Sequence, residues 1–357
     1  MQQSVGVPLA PLTTMRVGGP ADRLVTASST EELIEAVREA DAAARPVLVL
    51  SGGSNVVVAD EGFAGNVVRV ATRGVQVESA DFCGGVSLRV AAGEDWDALV
   101  ARAVAEGWSG IEALSGIPGY AGSTPIQNVG AYGQEVASTV AQVRVWDRRR
   151  CSVRTMANAD CGFAYRDSLF KRSAGRYVVL EVGFQLPLAD RSAPVRYPAL
   201  ADELDVPAGI RVPLAEVRAA VLALRRRRGM VLDEADHDTW SCGSFFTNPV
   251  LSPEAYAALR SRAAPDGPGA ADPPCWPAPD GSVKTSAAWL IERAGYHKGF
   301  GMPGPAALST KHPLAVTNRG TARAADVLAL ARQVRDGVAD AFGVRLVNEP
   351  VLVGLSL

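Results

Sequence analysis

An α+β protein built in three consecutive units is what the sequence predicts, and three observations carry the prediction. Helix and strand signals alternate through the first third of the chain, and two glycine-rich segments interrupt the first two units. Beyond Gly229 a third stretch has helical signals of its own. The 357 residues suffice for two or three domains. At 48% hydrophobic content they can bury a core without a disulfide or metal scaffold.

Residues 30–37, Thr-Glu-Glu-Leu-Ile-Glu-Ala-Val, begin at a capping Ser or Thr and place apolar residues at helical spacing, so they predict a helix. Residues 46–50 are a short apolar run that ends in Ser-Gly-Gly-Ser-Asn, the pattern of a buried strand entering a glycine loop. Residues 56–58 and 67–70 predict further strands, which completes a first unit of about 70 residues. A second unit alternates in the β period over 86–91 and turns helical over 96–106. It then passes through the glycine-punctuated stretch 115–133 to strands over 140–146 and 177–186 and a helix over 213–228, with Gly229 as its stop. In the third unit, helices are expected over 253–262, 287–294 and 321–342. The Pro- and Gly-rich residues 264–281 between the first two are expected to form a surface loop. Residues 344–357 are strand-like and are expected to return to the first unit.

Charge and composition exclude several classes of function. Lys+Arg 36 against Asp+Glu 38 leaves a net charge of −2, without the basic surplus of a nucleic-acid binder. The five cysteines are odd in number and form no CxxC pair, which fits a reducing cytoplasm better than a disulfide framework or a zinc ribbon. Three histidines without HExxH spacing argue against a metal centre. The N-terminus has no Lys or Arg before Arg16 and no long apolar run, and no segment approaches the ~18 apolar residues of a membrane helix. A cytoplasmic protein with no membrane insertion is expected.

Five segments carry candidate chemistry, two of them glycine loops. Glycine loops expose successive amide groups that can cradle an anion, and two of them suggest a ligand with a diphosphate and an extended body. Residues 52–55 alone fit a tight turn equally well, and neither loop is GxGxxG or GxxxxGKS. Gln127 and Asn128 place two amides beside glycines, suited to a planar heterocycle edge or a phosphate. Arg166, in Phe-Ala-Tyr-Arg-Asp-Ser, offers a planar fork for carboxylate or phosphate, though an Arg–Asp pair on a solvated turn is the simpler reading of that hexapeptide. Ser244 lies among small residues ahead of Phe245 and Phe246. It is not in GxSxG, and a turn-forming serine explains it as well. Glu349, at the mouth of an apolar run, could be an ordinary solvated strand end.

Taken together and in order, these segments resemble one family. GGSN at 52–55, IPGYAGSTPIQNVGAYG at 117–133, YRDS at 165–168, GSFFTNP at 243–249, DGSVKTSAAWLIE at 280–292 and NEP at 348–350 are similar to the UDP-N-acetylenolpyruvoylglucosamine reductases over essentially the whole chain. The resemblance implies an FAD-binding fold of the vanillyl-alcohol-oxidase (PCMH) type in two subdomains, 1–73 with 350–357 and 74–228, plus an α+β substrate-binding domain at 229–349. The segment with Arg196-Tyr197-Pro198 resembles the tyrosine loop of the type I subgroup.

The implied reaction uses NADPH to reduce FAD, after which flavin N5 delivers hydride to the β-carbon of UDP-N-acetylglucosamine enolpyruvate. The product is UDP-N-acetylmuramate, a peptidoglycan precursor. By motif match, Arg166 and Glu349 hold the carboxylate where charge grows, and Ser244 gives its proton to the α-carbon. FAD contacts are implied for Gly52, Gly53, Ser54 and Asn55. They are implied in the second loop for Ser115, Gly116, Pro118, Gly119, Gly122 and Ser123, and for Gln127, Asn128, Gly130, Ala131 and Tyr132. Substrate contacts are implied for Tyr165, Tyr197, Arg228, Asn248, Trp276, Lys284 and His312. Arg228 stands where the family usually has a diphosphate-binding Lys, a change that keeps phosphate binding. Cys242 replaces the commoner Ala beside Ser244 and predicts sensitivity to thiol reagents. A monomer is expected. The competing reading, an alcohol or sugar oxidase on the same fold, often needs a histidine for covalent flavin attachment, and residues 1–236 contain none.

Overall fold

The computed structural model describes residues 1–81, 83–263, 272–278 and 280–357. Its contacts divide the chain into two interleaved units. The first comprises Met1–Pro8, Pro20–Ser54 and Gly62–Leu232; the second comprises Leu9–Gly19, Asn55–Glu61 and Asp233–Leu357.

In the first unit a four-stranded sheet places Gln2–Pro8, Pro20–Ala27, Phe63–Val70 and Val47–Leu50 side by side in that order. Pro20–Ala27 and Val47–Leu50 both run parallel to Phe63–Val70, and the Thr30–Ala42 helix supplies the crossover between them. That helix starts where the sequence places it, because the Ser29 hydroxyl accepts the Glu32 amide at 3.2 Å. Its apolar stripe, Leu33, Ala36, Val37 and Ala40, is buried. A second, antiparallel sheet of five strands is centred on Val140–Asp147 and Tyr177–Leu186. The two sheets contribute to one hydrophobic core around Leu33, Val68, Leu88, Trp96, Val143 and Phe184. The Trp96–Ala105 helix begins at Asp95, whose carboxylate accepts the Ala98 amide at 2.9 Å. The Leu214–Arg227 helix packs against the 195–212 segment through Val217, Val221 and Leu224.

Asp147, at the end of its strand, is completely buried. It accepts Arg176 Nη2 at 2.9 Å, Arg154 Nη1 at 3.4 Å and the Arg149 amide at 3.1 Å. The Arg176 hydrogen bond, reinforced by Arg154, holds its pKa down at about 2. Because the folded pKa is depressed, this contribution to stability is complete above the ordinary aspartate range and is lost as pH falls towards about 2. Asp147→Asn is expected to cost ~1–3 kcal/mol at neutral pH and to flatten the acid limb of a melting-temperature profile.

The second unit is organised by the Ala324–Phe342 helix, whose buried face includes Val327, Leu328, Ala331, Val334 and Val338. Phe245, Phe246, Leu290, Ile291, Met15 and Val57 belong to the same core. The helix N-terminus is capped from a distant part of the chain: the Asp60 carboxylate accepts the Ala324 and Ala325 amides at 2.8 and 3.0 Å. Val351–Val353 pairs in parallel with Val56–Val58, so only three residues of the strand-like C-terminal segment are a strand. Pro350, which has no amide hydrogen to donate, precedes the first paired residue.

Within the 264–281 stretch, residues 264–271 and 279 lie outside the described residues. Trp276–Pro277 is a short strand rather than loop, paired antiparallel with Val283–Lys284, which pairs in turn with Val250–Leu251. Among the described residues no helix is long and apolar enough to cross a membrane, and no cluster of His, Cys, Asp and Glu could hold a metal ion.

Candidate active site

The two glycine-rich segments of the first unit meet backbone to backbone. A Cβ on Gly52 would lie 2.6 Å from the Gly119 Cα, and one on Gly119, where φ is +117°, would lie 2.7 Å from the Ser54 hydroxyl oxygen. Glycine is required at both positions because the loops need this approach to lie side by side. Gly53 and Gly116 also have positive φ, and Ser115, Gly53 and Gly122 are buried. Pro118 and Ser123 are half-buried on the same stretch, and Ser123 donates to the Tyr120 carbonyl at 2.7 Å. Among the described residues of this unit three buried polar atoms have no hydrogen-bond partner: Ser51 Oγ, Arg225 Nε and, on the Val140–Asp147 strand, Trp146 Nε1. Burial pushes the Arg225 guanidinium down to about 10. Its Nη2 reaches the Met230 carbonyl at 2.7 Å, and its Nε is 3.5 Å from where a Gly116 Cβ would be.

Neither Ser51 nor Arg225 was singled out by sequence. Ser51 directly precedes the first glycine pair. Arg225 follows Val221 by four residues and Arg218 by seven, a helical spacing that places it on the inner face of the Leu214–Arg227 helix while the next two residues, Arg226 and Arg227, are exposed. Overpacking at Gly52 is a direct test of the loop contact. Gly52→Ala is expected to weaken FAD binding by ~10–100-fold, the equivalent of ~1–3 kcal/mol, read as flavin absorbance per protein after dialysis.

Residues 127–135 form a hairpin. Gly130–Ala131 pairs with Gln134–Glu135 across Tyr132-Gly133, both of which have positive φ, the mark of a type I′ turn. Asn128 also has positive φ and is buried. Its amide nitrogen donates to Glu135 Oε2 at 2.8 Å and to the Ala164 carbonyl at 3.0 Å, and its Oδ1 accepts the Ala137 amide at 3.1 Å. The Asn128 side-chain amide is thus bonded within the protein through both of its polar atoms. Gln127 and Ala131 are half-buried on either side.

Tyr165 and Arg166 are the two tip residues of a turn closed by Ala164 and Asp167, which exchange backbone hydrogen bonds of 3.0 and 3.2 Å. Ser168 fixes the exit of this turn by donating to the Ile126 carbonyl at 2.5 Å and accepting the Phe170 amide at 3.1 Å. Arg166 has a φ of +52°, costly for a residue with a side chain. Its Nη1 donates to the Asn128 carbonyl at 3.3 Å and its Nη2 to the Gly130 carbonyl at 2.6 Å, so the guanidinium is fixed. The Tyr165 ring lies 5.7 Å from it. Tyr197, 40% exposed, stands at the start of the Pro198–Glu203 helix, its ring edge-on to Tyr132 at 5.5 Å. Arg228 closes the Leu214–Arg227 helix, half-buried, with Gly229 following at positive φ.

In the second unit Ser244 follows Gly243, at φ +73°, and precedes two fully buried phenylalanines. The anchoring is by backbone: the Phe245 amide donates to the Leu314 carbonyl at 2.7 Å, and its carbonyl accepts the Glu349 amide at 2.8 Å. Phe246 and Asn348 form a bridge, so the structure brings the Ser244 and Glu349 segments together. Asn55 joins them: its carbonyl accepts the Val351 amide at 3.0 Å and its side chain donates to the Glu349 carbonyl at 3.4 Å.

Asn248 Oδ1 accepts the Ala287 amide at 3.0 Å at the start of the Ala287–Arg293 helix. Trp276, 47% exposed, is the cross-strand partner of Lys284, whose ammonium lies 5.9 Å from its ring centre. The His312 amide donates to the Ser309 hydroxyl at 3.2 Å. Cys242 is buried, its thiol 3.3 Å from the Val56 carbonyl, and burial pushes its pKa up to about 12. The expected sensitivity to thiol reagents is thereby corrected: the thiolate is suppressed and the sulfur inaccessible.

Comparison with known proteins agrees with this arrangement. Residues 21–155 match an FAD-binding domain, and residues 234–353 match the C-terminal domain of UDP-N-acetylenolpyruvoylglucosamine reductase. The reductase of Streptomyces coelicolor is 56% identical over 100% of this chain and 92% of its own length. That of Thermobifida fusca is 56% identical over 98% of both. The crystal structure of the Thermus caldophilus reductase superposes with a TM-score of 0.64 at 26% identity, covering 99% of this chain and 98% of that one. The α+β, FAD-binding fold expected from the sequence stands with these matches.

Proposed function

The chain belongs to the UDP-N-acetylenolpyruvoylglucosamine reductase family, and from that membership we propose the part each residue takes in the reaction. It is an FAD-dependent oxidoreductase that reduces UDP-N-acetylglucosamine enolpyruvate to UDP-N-acetylmuramate with NADPH, in peptidoglycan precursor synthesis, and we place it in the cytoplasm as a monomer. The observation that carries the reading is the family match over the whole chain, with the motif residues in order.

The residues present fit FAD. The loops that meet at Gly52 and Gly119 leave Ser51 Oγ and Arg225 Nε buried and in want of acceptors, and a diphosphate and a heteroaromatic ring are acceptor-rich. Gly52, Gly53, Ser54 and Asn55 would hold the cofactor, together with the 115–123 loop and the backbone of the 127–132 hairpin. Bound FAD would supply the redox chemistry, hydride transfer between NADPH and the enolpyruvyl β-carbon.

The chain's own residues do the rest. Arg166, its guanidinium held in place by the Asn128 and Gly130 carbonyls, binds the substrate carboxylate as charge moves into it. Glu349 hydrogen-bonds the same carboxylate, which requires it to carry the shared proton. Ser244 gives its hydroxyl proton to the α-carbon, a transfer open to a weak acid because the carbanionic centre is strongly basic. Tyr165, Tyr197, Arg228, Asn248, Trp276, Lys284 and His312 take the sugar and uridine diphosphate, with Arg228 on phosphate.

The test is anaerobic rapid mixing. The holoenzyme is reduced with NADPH and then mixed with UDP-N-acetylglucosamine enolpyruvate. Reoxidation of the bound flavin without oxygen supports the proposal. Flavin that stays reduced until air enters overturns it in favour of an oxidase.

A further inference from the structure

We propose that Asn128 and Glu135 are positioning residues that set the Arg166 guanidinium to receive a carboxylate. The inference rests on the reading of Arg166 as a carboxylate-binding residue and extends it to two side chains behind it. Three features lead to it. Arg166 holds an unfavourable left-handed backbone conformation at a turn tip, so something outside the turn must over-determine it. The connection runs through Asn128, whose amide nitrogen bonds the Ala164 carbonyl at the base of that turn and whose own carbonyl accepts Arg166 Nη1. Asn128 is itself left-handed and buried, and its second amide hydrogen goes to the Glu135 carboxylate.

Glu135 does more than hold Asn128. It is the cross-strand partner of Gly130, whose carbonyl takes Arg166 Nη2 at 2.6 Å. A Cβ on Gly130 would lie 2.8 Å from Glu135 Cγ and 3.3 Å from Arg166 Nη1, so the Glu135 side chain and the guanidinium flank one face of the same glycine. Glu135 thereby supports both carbonyls that receive the guanidinium, Gly130 as its strand partner and Asn128 through the side-chain amide it accepts. Gln134 next to it is locked by donating to Glu112 Oε1 at 2.8 Å and accepting the Ala113 amide at 2.8 Å, so the strand that presents Glu135 does not shift.

The test compares two ligands that differ in the carboxylate, bound to FAD-loaded protein and followed by calorimetry. UDP-N-acetylmuramate carries the lactyl carboxylate and UDP-N-acetylglucosamine does not. Glu135→Gln, nearly isosteric, is expected to weaken the first by ~10-fold and the second by less than about 2-fold. The loss should vanish when Arg166→Lys is already present, because Glu135 acts through that guanidinium. Equal weakening of both ligands, or an undiminished loss in the Arg166→Lys background, would overturn the inference and leave Glu135 a structural residue. Arg166→Lys binding both ligands like the parent would instead remove the carboxylate role of Arg166 itself, and the inference with it. Should Glu135→Gln lose its flavin on purification, Asn128→Ser provides the same comparison from the other end of the pair.

Discussion

Ser244→Ala is expected to slow substrate-dependent reoxidation of the flavin by ~10²–10⁴-fold, the range for loss of a general acid, and to leave reduction by NADPH unchanged. The asymmetry is the informative part. The hydroxyl sits on a segment fixed by groups it does not share: Phe245 and Phe246 are fully buried, and the Phe245 backbone bonds Leu314 on one side and Glu349 on the other. Removing one half-buried oxygen from such a segment should change stability by no more than ~0.5 kcal/mol. A loss confined to one half-reaction then belongs to chemistry at the α-carbon. If both half-reactions fall together, or if melting temperature falls with them, Ser244 is a structural turn residue, the simpler reading its sequence neighbourhood allowed.

Much of this arrangement is legible in the sequence where the determinants are local. The Thr30–Ala42 and Trp96–Ala105 helices announce themselves because a capping side chain and an apolar stripe lie within a few residues of each other. Two edge strands do not. Gln2–Pro8 and Ser152–Ala157 mix polar with apolar residues and expose much of their surface, so hydrogen bonding to a neighbour, more than hydrophobic burial, makes them strands. The interleaving of the units is equally illegible, since Leu9–Gly19 and Asn55–Glu61 join residues beyond 232 through contacts such as Asp60 on the Ala324 amide and Thr14 on the Ser241 carbonyl.

In the candidate site, residue type and order find Arg166, Ser244 and Glu349, because their chemistry is a property of the residue. What a side chain is committed to is a property of its neighbours. Asn128 presents the same amide in sequence whether it faces a ligand or Ala164, and Cys242 the same thiol whether exposed or buried. The Cys242 expectation fails for that reason.

Glu349 gives the second large expected effect, and its variants separate charge from hydrogen bonding. Its backbone is held at both ends, by the Phe245 carbonyl on its amide and by Asn55 on its carbonyl. Replacing the side chain therefore leaves the strand entry in place. If the carboxyl carries the proton it shares with the substrate carboxylate, what the reaction needs from it is a donor at that position. Glu349→Ala removes the donor and is expected to lower the rate of substrate-dependent reoxidation by ~10²–10³-fold, the cost of losing one preorganised donor to a developing anion. Glu349→Gln keeps a neutral donor of nearly the same reach and should recover at least ~10-fold of that loss. Glu349→Asp keeps the acid but withdraws it by one methylene, and geometry alone should then cost most of the effect. The opposite ranking, with Gln as poor as Ala and Asp close to the parent, would mean that the negative charge of Glu349 is what the reaction uses. The proton would then have to be assigned elsewhere.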